Sequence, residues 1–174
     1  MIHKLIKSLT ILNNLLLYYM KRKEVKLMAN VFDVAAFILK KSKTITTWKL
    51  QKLVYYSQAW SLVWDDIPLF NESIEAWANG PVVRELFDSH RGQFTVSNIP
   101  LGNPNNLTDD EKETITSVLD YYGDRSSQYL SDLTHMEDPW KLARKGTPDR
   151  RRSNRIISLE SMAEYYGSLQ PEDE

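Results

Sequence analysis

Gln51, Tyr55 and Gln58 fall at i, i+4 and i+7 in a segment otherwise crowded with apolar and aromatic residues. In a helix that spacing lines two amides and a phenol along one stripe. Amides and phenols beside aromatics are suited to recognition through hydrogen bonds. With Glu75 and Trp77 further along the chain, they suit the wet, specific surface of a protein interface. A second reading stays open beside it. Buried amides and phenols need partners, and Gln58 and Tyr55 can find them on the backbone of residues 74–80, holding that segment in place. Replacing Gln51 and Tyr55 separates the two, because lost partner binding at unchanged melting temperature belongs only to the interface.

A second candidate lies near the C-terminus. Lys141, Arg144, Lys145, Arg150, Arg151, Arg152 and Arg155 face the single acid Asp149. Arg150, Arg151 and Arg152 can bind a phosphate backbone or an acidic groove on a partner, or simply form a solvated loop. Residues 150–155 carry no interleaved aromatic and no recognition-helix signature, which disfavours sequence-specific DNA reading. The histidines are His3, His90 and His135. His90 follows Asp88, and His135 precedes Glu137 and Asp138, yet neither has a second histidine at ligand spacing. Nucleophile-elbow, P-loop and dinucleotide patterns are missing from the sequence. It also lacks cysteine, which removes disulfides, thiolate metal sites and cysteine nucleophiles and fits a reducing, cytoplasmic setting. The sequence therefore assigns no catalytic residue, cofactor or metal, and reads as a binding protein rather than an enzyme.

These residues need a scaffold. With 174 residues, 42% of them hydrophobic and 11% aromatic, the chain can bury a core as one soluble domain. Its net charge of −1 hides an asymmetry: residues 1–28 carry six bases and one acid, and the remainder 16 bases and 22 acids. An acidic body is no general trap for nucleic acid; it suits a basic partner. In the leader, Ile2, Leu5, Ile6, Leu9, Leu12, Leu16 and Tyr19 recur at helical spacing. Asn13 and Asn14 interrupt the apolar run of a secretory signal, and the run is about half the ~20 residues a membrane span requires. The leader therefore reads either as a basic N-terminal extension forming a surface-lying or partner-binding helix or, the favoured reading, as sequence ahead of a translation start at Met28.

Beyond it, Asn30 caps a helix to residue 41, and Thr46 or Thr47 caps a longer, almost wholly apolar central helix to about residue 65. Residues 74–77 alternate like a short strand. Gly80 and Pro81 place proline at the first position of a helix running to Gly92. Thr108 with Glu111 has capping-box spacing for a helix ending near Gly123. Further helices follow around Leu130, from an Asp138 cap with Pro139 in the first turn and Trp140 as anchor to Gly146, and from a Ser158 cap to Tyr166. The expected fold is mainly α: a single compact helical domain of about seven helices with one or two short β pieces, preceded by the basic extension.

The wording KLQKLVYYSQAW from Lys49, then PLF, IEAWANGPVV, DPW and NRIIS, resembles the Panacea domain, also called the SocA-like antitoxin or phage-associated genetic-element protein family. The pattern matches Lys49, Leu50, Gln51, Lys52, Leu53, Tyr55, Tyr56, Gln58 and Trp60, then Glu75, Trp77, Gly80, Pro81 and Val82, and later Pro139 and Trp140. The resemblance covers residues 30–167, and with it residues 29–167 become the domain, 1–28 the extension and 168–174 an acidic tail. It implies a compact helical antitoxin of bacteria, phages and mobile elements that neutralises a cognate toxin protein by direct binding. It carries over no catalytic residues and does not say which residues touch the toxin. A nucleic-acid-binding regulator or an enzyme of a mobile element is the alternative. Masking a toxin and handing it to a protease are not separable at this level, nor is the oligomeric state fixed.

Overall fold

The computed structural model describes residues 28–148 and 150–170. The expected leader helix and the end of the acidic tail lie outside the described residues. Helix α1 is Val31–Ser42. Its first turn is closed as the sequence predicts: the Asn30 side chain accepts from Phe32 and Asp33 N–H, and Asp33 accepts from the Asn30 N–H. Asp33 is buried and also accepts from the Asn103 N–H and the Asn106 side chain, so one carboxylate caps a helix and pins a loop 70 residues away.

Strand β1, Ile45–Thr46, leads into helix α2, Thr47–Trp64, which Thr46 caps through the Lys49 N–H. Leu50, Leu53 and Val54 are fully buried, each contributing about 1.5–3 kcal/mol by leaving water. This helix is the axis of the domain. Against it pack α1, α4 (Asp109–Tyr122), α5 (Ser127–Met136) and α7 (Leu159–Gly167). The capping box of Thr108 and Glu111 and the Ser158 cap form as expected. Helix α6, Asp138–Ala143, begins one residue earlier than the Asp138 cap implied, with Glu137 at the N-cap.

The strands form two small antiparallel pairs. Strand β1 meets β4, Thr95–Val96. Strand β2, Ile74–Trp77, pairs with β3, Gly80–Val83, with Trp77 opposite Gly80 and Ile74 opposite Val83. Here the expected helix start at Gly80-Pro81 is corrected. Those residues are a strand returning from the two-residue turn Ala78-Asn79, and helix α3 covers only Arg84–Ser89. Two facts explain the change. Gly80 has φ +101°, a turn conformation outside any right-handed helix. Pro81 lies opposite Ala76, whose own N–H and C=O bond Arg155 and Arg144 instead of β3, so the missing proline N–H leaves no gap in the ladder.

Among the described residues the fold is thus mainly helical, seven helices and two two-stranded sheets. A buried polar knot joins α2, α7 and the α5–α6 junction. Glu137 accepts from Tyr56 at 3.2 Å and Tyr166 at 2.7 Å, and Tyr166 in turn contacts the Tyr55 hydroxyl at 3.2 Å. Burial raises the Glu137 carboxyl to about 7, although the hydrogen bonds from Tyr166 and Tyr56 work in the opposite direction.

Candidate functional site

The polar stripe of α2 exists, and it faces inward. Gln51, Tyr55 and Gln58 are buried at 1%, 0% and 0% exposure, so none offers a surface to a partner. Gln51 accepts from the Val83 N–H at 2.8 Å and donates to the Val83 carbonyl at 3.3 Å. Gln58 accepts from the N–H groups of Leu69 and Phe70 and donates to the Phe70 carbonyl. Each amide supplies both halves of a backbone pairing, two turns apart on one helix. The segments held differ from the expected residues 74–80: Gln58 docks the 69–70 turn, Gln51 docks the end of β3, and Tyr55 reaches Tyr166. Gln51 also contacts His90 at 3.3 Å; burial lowers the pKa of that imidazole, keeping it neutral at the end of α3.

The β2–β3 hairpin placed by these contacts forms one wall of a cleft of about 730 Å³. Its aromatic lining is Trp48 from the first turn of α2, Trp77 from the hairpin and Phe87 from α3. Its cations are Arg84, Arg91 and Arg152, with Asn79, Ser153 and Asn154 beside them. Arg84 lies 5.2 Å from the Trp77 ring, and Arg91 5.8 Å from that of Phe87, within cation–π range. Glu75 fixes the first of these. Its Oε1 accepts from Arg84 Nε at 2.8 Å, and Oε2 from Arg84 Nη2 and Trp77 Nε1 at 2.7 Å each. Burial alone would raise the Glu75 pKa; the Arg84 and Trp77 hydrogen bonds and the Arg84 charge outweigh it and hold the carboxyl below its ordinary range.

The opposite wall comes from the basic loop. The Ala76 N–H donates to the Arg155 carbonyl, the Ile157 N–H donates to the Ile74 carbonyl, and Glu75 bridges Ile156. This single antiparallel bridge pins the segment along β2 and carries Arg152 to the cleft. Arg144 is buried and clamps the same junction, donating to the carbonyls of Ala76, Pro148 and Arg151. Trp140 Nε1 donates to the Trp77 carbonyl at 2.9 Å, with His135 stacked on its ring at 4.2 Å. Beneath Trp48, fully buried Lys52 donates to the Pro81 carbonyl at 3.1 Å and lies 5.3 Å from the indole. Burial lowers its ammonium to about 7.

Of the residues singled out by sequence, the structure brings Trp77 and Arg152 together in the cleft, with Glu75 accepting from the Trp77 indole. Arg150 and Arg151 are exposed on the adjoining loop. Sequence reasoning missed Trp48, Arg84, Phe87 and Arg91. The last three fall at i, i+3 and i+7, a helical stripe open to notice. The cleft holds ring faces and guanidinium forks, which bind and orient; none of them transfers a proton near neutral pH. Among the described residues no group of three or more His, Asp or Glu side chains could hold a metal ion, and no helix is long and apolar enough to cross a membrane.

The described residues form a helical domain that presents an arginine-and-aromatic cleft beside the β2–β3 hairpin. The chain belongs to the SocA-like antitoxin, Panacea domain family, whose model matches residues 50–141. That stretch contains the two backbone-docking glutamines, the hairpin, Arg84, Phe87, Arg91 and Trp140. No curated protein matches the chain, and no solved structure does.

Proposed function

We propose that this chain is the antitoxin of a toxin–antitoxin system, a cytoplasmic protein that neutralises a cognate toxin by stoichiometric binding, and that the toxin docks on the cleft between Trp77 and Arg152. Membership of the antitoxin family over residues 50–141 is the observation that carries this reading. The cleft supports it, because Trp and Arg dominate the few residues that supply most of the energy of protein interfaces. Residues 29–167 are the neutralising domain, with 1–28 an extension and 168–174 a tail. A start at Met28 predicts that the native N-terminal peptide begins there, and recovery of residues 2–20 by mass spectrometry contradicts it.

The decisive experiment expresses each flanking open reading frame alone and together with this gene. One product should arrest growth alone, be tolerated in the pair and co-purify with this protein. If no flanking product is toxic, or if toxicity persists on co-expression, the antitoxin reading fails. Catalytic turnover by the purified, partnerless chain would point to an enzyme instead.

A further inference from the structure

We propose that the toxin element received by the cleft is acidic: a carboxylate-bearing stretch flanked by an aromatic or aliphatic side chain. This rests on the antitoxin reading above and gives its partner a chemistry. Residues 29–174 hold 16 bases and 22 acids, yet the cleft reverses that sign. Arg84, Arg91 and Arg152 line it, with Arg150 and Arg151 exposed next to Arg152; against them stand Glu75, with only 11% of its side chain exposed, and Asp88, paired with Arg91.

Glu75 already demonstrates how a carboxylate is received here, across the guanidinium edge of Arg84 and onto the Trp77 indole N–H. A guanidinium has five N–H donors, and Glu75 occupies two from Arg84, leaving three. Because Glu75 and the Trp77 ring hold that guanidinium in place, little side-chain freedom remains to be lost on binding. Arg152 makes no ion pair among the described residues. A neutral partner would bury it uncompensated, and a basic one would meet three like charges. An acidic stretch satisfies it, while the faces of Trp48 and Phe87 accept the apolar neighbour. The family match covers residues 50–141, so Trp48 and the Arg152 loop are the parts of the cleft that lie outside it.

The test uses the full chain and the toxin found by growth rescue. Arg91→Glu and Arg152→Glu should each weaken the complex by about tenfold or more, and the double variant should abolish rescue with its melting temperature within a few degrees of the original. Arg152→Lys should retain most binding, and Lys40→Glu, an exposed change on α1, should retain all of it. Affinity should fall between about 0.05 and about 0.5 M salt. Changing an acidic toxin residue to Arg should restore binding to Arg152→Glu. Full rescue by the double reversal overturns the proposal. So does loss of rescue on reversing Asp110 and Glu113 instead, beside Trp64 in an acidic hollow of about 350 Å³, because the partner would then be basic. Rescue retained while nucleic-acid binding is lost assigns the cleft to nucleic acid and also overturns it. Failure of the unmodified protein to rescue any flanking gene is a different result, and it removes the antitoxin reading itself.

Discussion

Glutamine serves this molecule as a substitute for backbone. The side-chain amide of Gln58 pairs with two N–H groups and one carbonyl of Leu69 and Phe70, all three residues being buried. Gln58→Leu fills similar space but leaves all three groups unpaired at about 1–3 kcal/mol each, so several kcal/mol should disappear in denaturant unfolding. A loss below about 1 kcal/mol would mean the turn finds other partners. Two buried titratable groups give the residue scale a pH signature. Glu137 keeps its proton up to about 7 when folded against 4.5 unfolded. The folded state therefore binds more protons across that interval, and this contribution to stability declines as pH rises from 4.5 to 7. Lys52 loses its proton at about 7 when folded and at 10.5 unfolded. The unfolded state binds more protons there, so this contribution rises with pH from 7 to 10.5. Melting temperature scanned against pH should show Glu137→Gln flattening the lower limb and Lys52→Met the upper. Parallel profiles in all three proteins would mean that neither group titrates in the fold.

At the scale of elements, local signals were the readable ones. Asn30 with Asp33 and Thr108 with Glu111 are caps whose partners lie three residues away, and the Gln51–Tyr55–Gln58 stripe follows from helical geometry alone. What the stripe faces was not readable, since Val83 and Phe70 reach it only through the tertiary fold. Gly80-Pro81 shows the boundary most clearly. Proline after glycine fits the first turn of a helix and equally a strand position whose N–H points away from the ladder, and the partner strand decides between them. The pairing of β1 with β4 is invisible locally for the same reason, its members lying 50 residues apart. The burial of Lys52 had no local signal either; it follows from the hairpin whose Pro81 carbonyl it meets. Gly80 and Lys52 are consequently one unit. A Cβ on Gly80 would sit 2.6 Å from Lys52 Cε and 2.9 Å from Nζ, on top of about 1–2 kcal/mol for positive φ. Gly80→Ala should cost more than 2 kcal/mol, roughly the φ penalty plus overpacking. With Lys52→Ala it should be less than additive; strict additivity in a double-mutant cycle would show that the two side chains do not collide.

On the scale of the whole molecule, the cleft draws on residues 48, 77–91 and 152–154, three regions far apart in sequence and all referred to α2. Trp48 grows from its first turn, Gln51 and Lys52 hold the hairpin to it, and Trp140 and Arg144 tie the hairpin to the arginine loop. Binding there couples directly to global stability, because unfolding any part dismantles a wall. A ligand that binds only the folded state stabilises it by about 2.7 kcal/mol at a hundredfold excess over its Kd. For a domain of this size that corresponds to a rise of roughly 5–10 °C in melting temperature. The toxin should produce this shift with the unmodified protein and lose it with Arg91→Glu/Arg152→Glu. If the proposed toxin is neutralised by masking alone, no further component is required, so the purified chain should inhibit purified toxin to completion at stoichiometric ratio with no protease present. Inhibition that appears only when a cellular protease is added would leave the binding surface intact but change its purpose, from covering the toxin to delivering it for destruction.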